Sequence, residues 1–214
     1  MIELLFNDVF ASTLCFIILG YLSGSLLFAK IFAALFGKHN IYENSPDKNP
    51  GTANAFTYGG FFVGALTLIF DLAKGFLPVF LYISYCKYSK PFSFALSLVM
   101  AAPVIGHIFP AFFRFRGGKG IAVTFGCLLG LLPVWKPLVI FAVAFIFFSV
   151  VLIITPHFYR TLASYLVALV FMIFFVQSYE IIFGFAFITV AVFIRMLSSK
   201  EDKKDMKVNL FWTH

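Results

Sequence analysis

Two nearly unbroken apolar stretches, Pro137 to Thr155 and Leu162 to Gln177, set the first limit on this chain. Each is close to the roughly 17 to 25 residues that a helix needs to cross a bilayer core. In lipid every backbone N–H and C=O must find a partner within the protein, so only helices and closed barrels span membranes. Barrel strands alternate apolar and polar residues over about ten positions. These runs do not alternate, so helices are expected. The charge content agrees: only 12% of the residues are charged, against about a quarter in a soluble domain. So little charge cannot cover a water-facing surface, and 32 Phe suit one that faces lipid. The expectation is an all-α, polytopic integral membrane protein, with residues 1–214 as a single membrane domain ending in a short basic tail from about 198 to 214.

Hydropathy places seven spans near 10–36, 59–86, 91–112, 120–134, 137–155, 161–177 and 179–197. Lys and Arg gather on the cytoplasmic side of such proteins. With the N-terminus outside, the inner segments hold eleven basic residues: Lys38, Lys48, Arg114, Arg116, Lys119, Arg160, Arg195, Lys200, Lys203, Lys204 and Lys207. The outer loops hold three, Lys87, Lys90 and Lys136, while Lys30 and Lys74 lie within spans. The bias predicts an outside N-terminus and a cytoplasmic C-terminus. The net charge of +7 then reads as a topology and anionic-lipid signal. Its scatter through short loops argues against nucleic-acid binding. No basic residue precedes Lys30, so the first segment is expected to stay as a helix rather than be cleaved as a secretory signal. Cys15, Cys86 and Cys127 form no CxxC and imply neither disulfides nor a metal site.

Three constellations could carry chemistry. The first is the inner loop Gly37–Tyr58, with Ser45-Pro-Asp-Lys-Asn-Pro-Gly-Thr-Ala-Asn54 at its centre. It is longer than most helix–helix connections, and such loops are usually functional or disordered. Its turn-forming residues offer hydrogen bonds to a ligand. The second is Arg114-Phe-Arg-Gly-Gly-Lys-Gly120, directly before a span. Glycines let backbone N–H groups approach an anion, and a helix N-terminus favours negative charge. This reads as a phosphate cradle or, more plainly, as a flexible basic loop. It is not a Walker A loop, because Gly120 follows Lys119 where Ser or Thr is needed. The third is Asp71 and Lys74, ionisable residues at membrane depth spaced to share a helix face, read as a structural or functional ion pair. His107 follows Gly106 near the inner end of the third span. His39, His157 and His214 show no ligand spacing. No His, Cys or carboxylate cluster suggests a metal.

These segments resemble the PlsY family, the bacterial membrane acyl-phosphate:glycerol-3-phosphate acyltransferases. The similarity runs through Gly20-Tyr-Leu-Ser-Gly-Ser25, Asn49-Pro-Gly-Thr-Ala-Asn54, Asp71-Leu-Ala-Lys-Gly-Phe-Leu-Pro78, Gly106-His-Ile-Phe-Pro110 and Phe115-Arg-Gly-Gly-Lys-Gly120, in the family's order. The resemblance implies acyl transfer from acyl phosphate to glycerol 3-phosphate, giving lysophosphatidate at the cytoplasmic face of the bacterial plasma membrane. It implies no cofactor or metal. Lys119, His107 and Ser45 are the expected catalytic residues. Asn49, Gly51, Asn54, Arg116, Gly117, Gly118, Gly120, Arg195 and Glu201 are the expected substrate-binding residues. The sequence also departs from the family. Its first loop carries a one-residue insertion around Ser45-Pro-Asp-Lys-Asn. Thr57 stands where the family has Arg, Thr189 and Val192 where it has His and Asn, and Ser199-Lys200 where it has Gly-Thr. A paralogue with weakened catalysis or a changed acceptor, or a transporter on the same scaffold, is the competing expectation.

Overall fold

The computed structural model describes residues 2–38, 45, 47–86, 94–198 and 205–210. Helices dominate: α1 (Ile2–Gly24), α2 (Phe28–Leu35), α3 (Thr52–Gly59), α4 (Phe61–Cys86), α5 (Ala95–Ile108), α6 (Ile121–Leu129), α7 (Lys136–Ile146), α8 (His157–Phe175) and α9 (Tyr179–Ser198). A 3₁₀ turn at Ala111–Phe113 follows α5, and a π-helical turn at Phe147–Val151 extends α7.

Four segments are long and apolar enough to cross a membrane: Phe61–Cys86, Ala95–Phe113, His157–Phe175 and Tyr179–Ser198. A fifth crossing forms if Val9–Gly24 and Phe28–Leu35, bent by 42°, count as one span. The two remaining expected spans are shorter. Residues 120–134 reduce to the nine residues of α6, about 14 Å of helix. The segment 137–155 is helical only through Val151 and then becomes β1 (Leu152–Thr155). That strand pairs antiparallel with β2 (Lys207–Leu210), from Leu152 opposite Leu210 to Thr155 opposite Lys207. Ile153, Ile154 and Thr155 are β-branched and fit a pleated ribbon, so this apolar stretch does not end as the helix its hydropathy implies.

Close helix contact comes from small residues, as is usual where no solvent drives helices together. A Cβ at Gly106 in α5 would collide with the Tyr21 carbonyl of α1. A Cβ at Gly126 in α6 would collide with the Leu72 carbonyl of α4. The lower end of α5 is tied to α1 by polar contacts. The Tyr21 hydroxyl donates to the Phe109 carbonyl at 2.9 Å, and the Ala111 N–H donates to Ser25 Oγ at 3.2 Å. The core between α6, α7, α8 and α9 is aromatic. Phe141 meets Tyr165 and Phe185 with ring centroids 4.7 and 5.4 Å away, and the Tyr165 hydroxyl donates to Thr124 Oγ1 at 2.8 Å. Large apolar side chains such as Phe61, Phe62 and Phe174 point outward, as a lipid-facing surface requires.

Candidate active site

The loop before α3, the start of α6 and the start of α8 converge on the middle of α4, at Leu68 and Asp71, and on the last turn of α5, at His107. They enclose a cavity of about 380 Å³. Its polar wall holds Asp47, Asn49, Thr52, Asn54, Asp71, His107, Lys119 and His157. Its apolar wall holds Phe56, Leu68, Ile121, Phe125 and Phe145.

Under the floor lies a buried charge cluster. Lys74 Nζ contacts Asp71 Oδ1 at 2.7 Å, the Leu26 carbonyl at 2.6 Å and His107 Nδ1 at 2.9 Å. The ammonium hydrogen-bonds the Leu26 carbonyl and His107 Nδ1 and forms an ion pair with Asp71. The second Asp71 oxygen accepts from Thr52 Oγ1 at 3.4 Å. The expected Asp71–Lys74 pair is therefore formed, and it does more than neutralise itself. Because Lys74 can only donate, His107 Nδ1 must accept, and the ring's proton sits on Nε2. That edge faces Gly118, where a Cβ would strike Nε2.

The Gly-Gly-Lys-Gly run is held from both sides. Arg114 and Phe115 take left-handed backbone conformations, φ 52° and 56°, which cost roughly 1 kcal/mol or more each. They turn the chain back so that the Gly117 and Gly118 N–H groups donate to the Ile108 and His107 carbonyls, both at 3.1 Å. From α9, Arg195 donates to the Gly117 carbonyl from Nη2 at 2.8 Å and to the Gly118 carbonyl from Nε at 3.2 Å. Both glycine peptides are thus occupied by the protein. Gly117, Gly118 and Arg195 brace the run, while Lys119 and Gly120 line the cavity.

Lys119 is buried, and its Nζ lies 3.0 Å from Asp47 Oδ2. The other Asp47 oxygen accepts from Asn54 Nδ2 at 2.8 Å and from the Asn49 N–H at 3.2 Å. Partial burial works against the Asp47 charge, but the Asn54 amide, Lys119 and the Asn49 N–H together hold its carboxyl below the usual carboxylate range. Donors that could grip a phosphate thus converge on a carboxylate of the protein itself. Asn49 is buried, and among the described residues its amide oxygen has no hydrogen-bond partner. A buried acceptor of that kind requires a donor.

Of the other expected residues, Ser45 is buried outside the cavity wall, with its carbonyl accepting from the Lys48 N–H at 3.1 Å. Arg116 is exposed and away from the cavity. Gly51 lines it. Glu201 lies outside the described residues. The polar wall also holds Asp47, Thr52 and His157, none of which is among the expected site residues. Asp47 sits within the loop insertion, and His157 follows Thr155-Pro156 at a helix start. Asp47 takes Lys119 from far along the chain but Asn49 and Asn54 from its own stretch of it, and the His157 ring is bonded by Thr161 one turn along its own helix.

A family model for glycerol-3-phosphate acyltransferase matches residues 14–203. The chain belongs to the glycerol-3-phosphate acyltransferase family. It is 43% identical over 120 residues to the glycerol-3-phosphate acyltransferase of Albidiferax ferrireducens, an alignment covering 55% of this chain and 52% of that protein. The chain therefore spans about half the length of the curated relative it matches. Its fold is similar to crystal structures of PlsY (YgiH), an integral membrane glycerol 3-phosphate acyltransferase. The glycerol 3-phosphate form gives a TM-score of 0.71 at 25% identity, covering 86% of this chain and 88% of that one. The lysophosphatidic acid form gives 0.67 at 26%, covering 86% and 87%.

Of the positions that depart from the acyltransferase family's pattern, Thr57, Thr189 and Val192 lie off the cavity wall, and Ser199-Lys200 lies outside the described residues. Thr57 is exposed and bonds back to the Ala53 carbonyl of its own helix at 3.0 Å. The Thr189 hydroxyl donates to the Phe185 carbonyl at 2.8 Å. Val192 is fully buried in the apolar core.

Proposed function

We propose that this protein transfers a fatty acyl group from acyl phosphate to glycerol 3-phosphate, releasing lysophosphatidate and inorganic phosphate for phospholipid synthesis. The observation that carries this reading is the mixed chemistry of one cavity. Lys119 supplies a cation for phosphate and His107 a fixed Nε2–H donor behind Gly118. The Asn49 amide oxygen calls for a ligand that donates, as a polyol hydroxyl does. The apolar wall from Phe56 to Phe145 suits an acyl chain. An acyl phosphate is already activated, so the protein's task is to align the acceptor hydroxyl with the carbonyl carbon and to stabilise the departing phosphate. Lys119 performs the second task. His107 serves as its neutral partner, and Asn49 and Asn54 position the acceptor. Ser45 acts by shaping the loop that carries them, and Arg195 by fixing the two glycines.

The acceptor side is rebuilt relative to the family's pattern, a reading supported by Thr189 and Val192 being absorbed into α9 and its packing. The same proposal includes seven crossings, the N-terminus outside and the cavity open to the cytoplasm. The basic-residue asymmetry supports that orientation. Purified protein given acyl phosphate and glycerol 3-phosphate should release phosphate and lysophosphatidate in equal amounts. Phosphate release without lysophosphatidate would reject this acceptor. Glycerol and other polyol phosphates offered in competition then report what the rebuilt side selects. For orientation, in a background lacking the native cysteines, Arg116→Cys should react with an impermeant thiol reagent only from the cytoplasmic side and Tyr88→Cys only from outside. The reverse pattern would invert the topology.

A further inference from the structure

The Asp71–Lys74 pair is the one constellation in the sequence that the proposed reaction leaves without a part. Asp71 and His107 both line the cavity, whereas Lys74 stands behind them and does not. All three side chains are buried. From there Lys74 is joined to each half of the site. On one side its ion pair with Asp71 spans 2.7 Å, and the other Asp71 oxygen accepts from Thr52 Oγ1 at 3.4 Å. Thr52 is the first residue of α3, so this arm ends between the loop that carries Asn49 and the helix that carries Asn54. On the other side Lys74 Nζ donates to His107 Nδ1 at 2.9 Å. The Nε2 edge of that ring faces Gly118, and the His107 carbonyl accepts from the Gly118 N–H at 3.1 Å. This arm ends at the glycine run that carries Lys119. A third contact, to the Leu26 carbonyl at 2.6 Å, ties the ammonium to the break between α1 and α2.

Neutralisation alone does not need this reach. Opposite charges one helical turn apart pair within their own helix, and a buried pair of that kind can often be exchanged for neutral groups with little loss of stability. Here the remaining bonds of the cation leave α4. Through Thr52 and His107 the pair connects the two segments that the proposed reaction assigns to acceptor and to phosphate. Those segments have to meet in one register, because acyl transfer needs the acceptor hydroxyl held against the carbonyl carbon.

We propose that Lys74 is a positioning residue for the acyl transfer. It sets the acceptor side against the glycine run, through Asp71 and Thr52 on one arm and through the orientation and tautomer of His107 on the other. The proposal rests on the acyltransferase reading above. Lys74 itself touches neither reactant and transfers no proton.

The test separates positioning from neutralisation. The wild-type protein is assayed first with acyl phosphate and glycerol 3-phosphate; absence of turnover would overturn the acyltransferase reading itself. With turnover established, the double substitution Asp71→Asn/Lys74→Met removes both charges together, so that neither is left buried and unpaired. The amide oxygen at position 71 still accepts from Thr52, but the donor to His107 is gone. If Lys74 only neutralises Asp71, this variant keeps the wild-type kcat. Positioning predicts a kcat lower by about tenfold to a hundredfold, with KM for each substrate within about threefold, because a misplacement of about 1 Å costs about a hundredfold in rate. A second measurement leaves positions 71 and 74 untouched. In a protein with His39, His157 and His214 replaced by Gln, nitrogen-15 NMR of the remaining ring should show a bare Nδ1 and a protonated Nε2. Should the double variant fail to fold, that ring decides alone. A proton on Nδ1, or a folded double variant with wild-type kcat, would refute the positioning role while leaving the acyltransferase reading intact.

Discussion

Asp47 presents the sharpest conflict in the site, because its carboxylate occupies the donors that a phosphate needs. Consider Asp47→Asn, which keeps the shape and the oxygen that accepts from the Asn49 N–H. A phosphate on Lys119 would sit roughly 5 Å from the Asp47 carboxylate, and two like charges at that distance cost about 3 kcal/mol at an effective dielectric of 20. Asp47 is only half-buried, so screening reduces this to about 1–1.5 kcal/mol. The variant should therefore bind inorganic phosphate, and acyl phosphate, about tenfold more tightly. The assay is product inhibition by phosphate, read as Ki, alongside KM for acyl phosphate. Stability should move the other way, with a loss of about 1 kcal/mol when the ion pair is removed. The folded-state carboxyl is held below its ordinary value. Its stabilisation is thus complete above the unfolded pKa of about 3.9 and disappears as pH falls through the lower folded value. Wild type should lose stability more steeply than Asp47→Asn below about pH 4. Weaker phosphate binding in the variant would refute the argument and make Asp47 a holder of Lys119 for the substrate.

Lys119→Ala should leave folding and insertion intact and lower activity about tenfold to a hundredfold, the equivalent of one charge-assisted hydrogen bond to phosphate; unchanged kinetics would remove Lys119 from the site. Gly118→Ala drives a methyl into His107 Nε2 and should cost about 1–3 kcal/mol in thermal unfolding together with most of the activity. If both hold at wild-type levels, the His107 ring is not fixed where it is needed. Arg195→Lys cannot span both glycine carbonyls as a guanidinium fork does, so kcat should fall with little change in KM. A Lys variant as active as wild type would mean that one of the two bonds suffices.

Much of the site could be read from the sequence because the residues carry their meaning locally. Asp71 and Lys74 stand one helical turn apart in an apolar run, and Lys119 is flanked by glycines at a helix start. His107 was visible as a histidine at a helix end, but its tautomer was not, since that depends on Lys74 from a different helix. Gly117 and Gly118 looked like an anion cradle, yet their N–H groups are engaged by carbonyls at the end of α5. Only the left-handed turn at Arg114 and Phe115, which nothing in those two residue types predicts, brings them there. Asp47 and His157 escaped notice for the same reason: a loop carboxylate and a helix-start histidine are ordinary until folding places both against one lysine. In the fold, hydropathy located the apolar segments but not how they end. Leu152–Thr155 is as apolar as the helix before it, and its pairing partner at Lys207–Leu210 lies at the far end of the chain.

The break between α1 and α2 bears on how the protein is made. A helix interrupted at membrane depth leaves carbonyls that its own turns do not satisfy, and Leu26 is one that finds its partner in Lys74, 48 residues later. During synthesis the bend therefore reaches the membrane well before the lysine that completes it. Until α4 arrives, the first span must keep Leu26 near water or within the insertion machinery. Lys74, for its part, has no low-energy place in lipid until Asp71, Leu26 and His107 surround it. The placement of three parts of the chain is thereby coupled, because Lys74 of α4 takes its partners from the α1–α2 break, from its own helix and from α5.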